Sequence, residues 1–363
     1  MFVEWPWYYS PKLIRRKRPM DITTEGSLDI RKLPAYLLGK LLSTASTTDP
    51  RVLLGPRVGA HAAAIDMGDT VLVAKSDPVT FAADRIGWYA VQVNANDIAC
   101  LGAMPKWFLA TVLLPEGAAP ELAEEIFREI TDACAELGVA LVGGHTEITY
   151  GLTRPIVSGH MLGEAKKADV VWPGGAQPGD TLLLTLGLAI EGTALLAREA
   201  ANALRDGGMS DADVAAAASL LESPGISVVH AAQTACTVAS VHAMHDPTEG
   251  GLATGLAELA SAAEVGVEVR SDALHVLPET QLVCRALGLE PLGLLASGAL
   301  LMALASDDVE VVQTALSNEG IPSQVIGRVT EASEGLRIRN ADGLVALPIF
   351  ARDELARFMS QPS

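Results

Sequence analysis

From Arg51 onward, apolar runs of strand length alternate with stretches that carry apolar residues at helical spacing, and glycine or proline punctuates each change of period. That alternation confines the chain to the α/β class, with α+β mixed sheets. "TVLVAKSDP", Thr70 to Pro78, has the β-branched run and closing proline of a strand. Asp84 then reads as the cap of a helix whose apolar stripe is Trp88, Val91, Ala95, Ile98 and Ala99, stopped by Gly102 and Pro105. "KWFLATVLLP" reads as a strand and residues 120–137 as a helix. "VALVGG" and "PIVSGHMLG" read as two further strands, the first ending at its glycine pair.

"WPGGAQPGD", Trp172 to Asp180, is dense in glycine and proline and marks a boundary. Beyond it the pattern predicts strands at 181–186 and near Ser240, helices over 193–204, 251–263 and 280–287, and a final hairpin with "NADG" at its tip. The expected organisation is an arm over 1–40, a first domain over 41–170, a second over 171–350 and a tail over 351–363. The first nineteen residues hold two of the five tryptophans, two of the five tyrosines and a basic run from Arg15 to Arg18. They read as a disordered extension, or as a stretch preceding a true start at Met20; a partner-binding arm is the alternative.

Forty-four acidic residues against 26 basic ones give a net charge of −18, which repels nucleic acid and anionic membrane. An anionic ligand therefore needs local help from a metal, a helix N-terminus or glycine-rich backbone. No apolar run approaches the roughly 18 residues of a membrane span. Cys100, Cys134, Cys236 and Cys284 have neither CxxC nor zinc spacing and read as free thiols in a reducing, cytoplasmic setting.

Polar residues gather at the ends of these elements. In "VNANDIACLGAMP" the helix carries Asn94, Asn96 and Asp97. An acid in the last turn opposes the helix dipole by about 0.3–1 kcal/mol, so Asp97 needs a positive partner or solvent. Asp77 in "SDPVT" sits at a strand end, as turn residues and α/β active-site residues both do. "LVGGHTE" offers Gly143 and Gly144 for close backbone approach to a phosphate, and His145 as a metal ligand or proton acceptor; a plain glycine turn is the alternative. "MHDPTEGGLA" passes from a strand through Asp246 into Gly250 and Gly251 at a helix N-terminus, a place suited to an anion. The sequence holds neither a Walker A loop nor a GxGxxG fingerprint at these places.

The order "GPRVGAHAAAID", "SDPVT", "IGWYAVQVNANDIACLGAMP", "LVGGHTE", "DPTEGGLA" and "IGRV" resembles the aminoimidazole ribonucleotide synthetase superfamily over roughly residues 53–347. "DPTEGGLA", "CRALGLEPL" and "ASGALLMAL" are most similar to the hydrogenase-maturation branch, a carbamoyl dehydratase, while "VNANDIACLGAMP" is also similar to thiamine-monophosphate kinase. The resemblance implies two α/β domains, with the first domains of two subunits pairing into a β-barrel in a homodimer. It implies ATP as cofactor, and transfer of its γ-phosphoryl group to a small substrate or dehydration through a phosphorylated intermediate. By position, it implies Asp77 and Asp97 as magnesium ligands and Asp246 as a catalytic acid. His145 joins both sets, as a catalytic and a metal-binding residue. His61, Asn94, Gly143, Gly144, Thr248, Gly250 and Gly251 are implied as nucleotide contacts.

The sequence departs from the family at two of these positions, where His61 and His145 replace aspartates. Imidazole in place of a hard oxygen ligand favours manganese or another divalent ion over magnesium, or points to weakened catalysis. The chain also ends "FMSQPS", without the C-terminal cysteine of the hydrogenase-maturation enzyme, so nitrile synthesis by that route is not expected. A thiamine-monophosphate kinase-like enzyme and a non-catalytic nucleotide-binding or scaffold protein are the alternatives.

Overall fold

The computed structural model describes Leu33 and residues 35–45, 47–80, 82 and 84–360. The expectations for residues 1–19 and for a start at Met20 lie outside the described residues.

The strands form two sheets. The first contains β1 (Val52–Leu54), β2 (Ala63–Asp66), β3 (Thr70–Val79), β4 (Met104–Pro115), β5 (Ala140–Thr149) and β6 (Ile156–Lys166), in the order β1-β2-β3-β6-β4-β5. The second contains β7 (Thr181–Thr185), β8 (Val241–His245), β9 (Gly266–Arg270), β10 (Leu301–Leu304), β11 (Ser323–Thr330), β12 (Leu336–Asn340) and β13 (Gly343–Ala346), in the order β13-β12-β9-β11-β7-β10-β8. Each sheet is antiparallel except for one parallel pair, β4 with β5 and β12 with β9.

Helices α1 (Ala35–Leu42), α2 (Ile86–Ala99) and α3 (Pro120–Glu136) accompany the first sheet in sequence. α4 (Ile190–Glu199), α5 (Ala201–Asp206), α6 (Asp211–Ser219), α7 (Val229–Val238), α8 (Gly251–Ala263), α9 (Pro278–Leu287), α10 (Val309–Asn318) and α11 (Glu354–Met359) accompany the second. The single helix expected over 193–204 is divided into α4 and α5 at Ala200, whose backbone leaves the helical region. α1 crosses the boundary expected at 40/41 between arm and first domain, and α11 forms within the segment that the sequence reads as a tail.

Among the described residues one helical stretch, Asp211–Val238, has the length and apolar composition of a membrane span, which the sequence reading did not anticipate. Ser223 and Pro224 interrupt it, and half of its apolar window is buried, as in the core helices of a globular protein.

α2 determines where the site forms. It is buried on almost every side, so its polar residues are buried with it. Two glycines of β6 let the helix approach the sheet. A Cβ at Gly159 would strike the Asn94 amide and Phe108, and one at Gly163 would strike Ile98. Asn94 and Ile98 are four residues apart, one turn of the helix face that meets the strand. The expected cap at Asp84 is not made. Arg85 takes the N-cap position in the left-handed region at φ 57°, Asp84 pairs with Arg198 of α4, and Glu129 of α3 accepts from Gly87 N instead.

Candidate active site

A line of short polar contacts runs from the first sheet to the second. Lys75 Nζ, on β3, lies 2.7 Å from Asp97 Oδ2 and 3.3 Å from Asp77 Oδ2. The other oxygen of Asp97 lies 2.6 Å from His61 Nδ1. His61 Nε2 lies 2.6 Å from Nδ1 of His245, the last residue of β8, and His245 Nε2 lies 3.1 Å from Glu258 Oε2 on α8. The loop carrying His61 is seated on α8, where a Cβ at Gly59 would come within 3.5 Å of the Glu258 carbonyl oxygen.

A carboxylate only accepts, so His61 Nδ1 donates to Asp97. The 2.6 Å contact between His61 Nε2 and His245 Nδ1 places one proton between the two rings. Lys75 supplies a positive charge. Burial alone would raise the Asp97 carboxyl, but Lys75 and His61 together hold it well below the usual carboxylate range. Asp97 and Asp77 likewise raise the Lys75 ammonium above its ordinary value in spite of burial. The positive partner that the helix position of Asp97 demands is therefore Lys75 with His61.

Asn96, on the other side of α2, makes a second connection. Its amide donates to Ile226 O at 2.8 Å and to Asp246 Oδ2 at 2.9 Å, and its carbonyl oxygen accepts from Val228 N at 2.9 Å. Asn94 donates to Ala90 O at 2.8 Å and to Asp77 O at 3.1 Å, fixing the end of β3, while its own carbonyl oxygen is buried without a partner.

The structure thus brings Asp77, Asp97 and His61 into one connected group and ties Asp246 to α2. His145 is not among them. β5 continues through Gly143, Gly144 and His145: the register shifts at Val142, and pairing with β4 then resumes at Gly143 and extends to Pro115 opposite Thr149. His145 aligns with Thr111, Ser158 and Pro78 across β4, β6 and β3. Three strand spacings, roughly 14 Å, separate it from the end of β3. Its side chain is 65% exposed and its Nε2 meets Glu147 at 3.1 Å. Gly144 is explained by strand contact, since a Cβ there would strike the Ala110 carbonyl oxygen. Gly250 N donates to Asp353 Oδ2 at 2.6 Å and Gly251 N donates to Thr248 O, so the amides at the start of α8 have partners within the chain.

A resident divalent metal does not fit this donor set. Both oxygens of Asp97 are engaged, the cation between Asp97 and Asp77 is the Lys75 ammonium, and no group of three or more His, Cys, Asp or Glu side chains is placed to hold a metal among the described residues. The Asp77 carboxyl is 42% exposed and is the more accessible of the two.

Residues 59–165 match the AIR synthase related protein, N-terminal domain, and residues 177–339 match its C-terminal domain. A putative hydrogenase expression/formation protein of Methanocaldococcus jannaschii is 29% identical over 79% of this chain and 85% of its own length. The carbamoyl dehydratase HypE of Escherichia coli is 29% identical over 74% of this chain and 77% of its own. Among solved structures, the hydrogenase maturation protein HypE in complex with ATP superimposes with a TM-score of 0.67 at 23% identity, covering 88% of this chain and 91% of that one. The thiamine monophosphate kinase of Aquifex aeolicus gives 0.63 at 20% identity, covering 86% and 98%. Both share this two-sheet architecture. On the two domain matches, in order and together spanning most of the sequence, the chain belongs to the AIR synthase related family.

Proposed function

We propose that the protein is an ATP-dependent enzyme that passes the γ-phosphoryl group of ATP to a small substrate, as a relative of the hydrogenase-maturation proteins. The observation that carries this reading is the linked group Lys75, Asp97, His61, His245 and Glu258, which places the Lys75 ammonium at the junction of the sheets, next to the half-exposed Asp77. Phosphoryl transfer asks a protein for positioning and charge neutralisation more than for a covalent nucleophile. Lys75 offers that neutralisation, Asp77 is the carboxylate that would meet a cation arriving on the nucleotide, and Asp246 holds the second sheet in place through Asn96. The bound ATP of one neighbour, and the ATP analogue and thiamine monophosphate of a kinase from the same structural group, support a nucleotide as ligand. In this reading the metal, magnesium or manganese, is part of the substrate.

The same proposal includes a homodimer. β5 is a ten-residue edge strand, exposed along nearly its whole length, with Val142 and Ile148 uncovered on it and Tyr150 uncovered in the turn that follows. Long apolar edges of this kind pair with another strand or aggregate. A second reading, of a nucleotide-binding protein without turnover, is favoured by the saturation of both Asp97 oxygens. The two separate in one experiment. Calorimetric ATP titration is followed by ADP release with magnesium or manganese, with thiamine monophosphate among the candidate acceptors. ADP release is expected; tight ATP binding without ADP release under any of these conditions would select the binding protein.

A further inference from the structure

A cavity of about 110 Å³ opens where the end of β3, α2, α4, the turn before α8 and the C-terminal α11 converge. That is several times the space one water molecule needs. Four carboxylic acids line it, Asp77, Glu191, Glu249 and Asp353, and no lysine, arginine or histidine does. Acidic lining alone would mean little. Two buried hydroxyls give it meaning: Tyr89 and Ser297 line the same cavity and are 2% and 0% exposed. The Tyr89 hydroxyl has no hydrogen-bond partner, and Ser297 is set against the Glu191 carboxyl, where it opposes the rise in that group's pKa. A buried hydroxyl left unpaired is costly, so Tyr89 in this acidic wall marks hydrogen-bonding capacity directed at a ligand.

We propose that this cavity binds the cationic end of a small molecule, an alkylguanidinium or alkylammonium group, with Glu191 as its anionic anchor and the Tyr89 and Ser297 hydroxyl oxygens accepting its N–H groups. Glu191 is the anchor because the Asp353 carboxyl already accepts from Gly250 N and Leu355 N. Burial pushes Glu191 up to about 7 and Asp353 up to about 6, with neighbouring acids adding to both shifts. A cation would bring both back toward ordinary values. An anion would meet only acids and hydroxyls, and a neutral donor such as urea would gain the hydrogen bonds without the charge. Since the cavity shares Asp77 with the site described above, the proposal names the substrate class of that site, and for its catalytic meaning it rests on the ATP-dependent reading.

The test needs no turnover. The full chain is titrated at pH 7.5 and constant ionic strength with methylguanidinium chloride, with n-butylammonium chloride, urea and sodium acetate as comparators, and binding is read by calorimetry and by a crystal soak. Saturable binding of methylguanidinium in the cavity is expected, with urea and acetate at least about tenfold weaker and the affinity of Glu191→Gln reduced at least about tenfold. Ser297→Ala, a smaller change, should weaken binding in the same direction and serves if Glu191→Gln does not fold. Acetate or urea binding as well as methylguanidinium, no saturable binding, or unchanged affinity in the folded variants would overturn the proposal. Cation binding without ADP release would sink the reaction but not the cavity; ADP release without cation binding would do the reverse.

Discussion

His61 Nε2 lies 2.6 Å from His245 Nδ1, joining two residues 184 positions apart and, through them, Asp97 of α2 to Glu258 of α8. Both rings are buried and their centroids are 4.3 Å apart at an interplanar angle of 62°. Removing either ring leaves a buried partner unsatisfied, so His61→Ala or His245→Ala should cost about 2–4 kcal/mol. The double variant should cost clearly less than the two together, because the second deletion removes a group already orphaned. Urea unfolding of the four proteins measures this; additive losses would show that the rings are not coupled.

Asn96 makes three buried hydrogen bonds to residues of the second half of the chain. Asn96→Ala should destabilise by about 2–4 kcal/mol, since Val228 N and Ile226 O lose partners in a dry setting. Asn96→Asp should be worse, as it sets a carboxylate against Asp246. Thermal unfolding compares them; an Asp variant as stable as the wild type would contradict the assignment.

Glu191 gives the protein a pH dependence of known sign. Its carboxyl is raised from 4.5 to about 7, by burial first. A group with a raised folded-state value binds its proton more tightly when folded, so its contribution is fully present below about 4.5 and is lost as pH rises through 7. The gap corresponds to at most about 3 kcal/mol. Glu191→Gln should therefore gain stability over the wild type at pH 8 and show no such gain at pH 4.5, by urea unfolding at the two pH values. An equal difference at both would remove Glu191 as the titrating group.

The exposed edge of β5 predicts association. Val142 and Ile148 are 54% and 66% exposed on this strand at the edge of the first sheet. Ile148→Lys should shift the protein from dimer to monomer in light scattering, as charge on an edge strand opposes pairing. A wild type that is monomeric at high concentration would count against the barrel-forming dimer.

Much of the architecture is legible in the sequence because its signals are local. The β-branched run of β3, the apolar stripe of α2 and the glycine and proline stops around them decide those elements within a dozen residues. The order of motifs likewise discloses the family. Local chemistry misleads at "LVGGHTE", where the glycine pair reads as a strand end although ladder pairing with β4 carries β5 through it. Lys75, His245, Glu258, Glu191 and Asp353 carry no such signal, because no spacing relates them and only the approach of the two sheets brings them together. The one available hint was His245 beside Asp246 in "MHDP", an ionisable pair at a strand end ahead of a helix. Asp97 shows the reverse case, where an acid in the last turn of a buried helix signals a charged partner although spacing does not say which.

The proposed cleavage of ATP takes place next to Asp97. ADP release from ATP with magnesium or manganese, by the wild type and by Asp97→Asn, tests it, with ATP binding measured on both. ADP release by the wild type is expected, with at least about a hundredfold loss in the variant, on the order of 3 kcal/mol of transition-state stabilisation. Equal ADP release by the two proteins would contradict it.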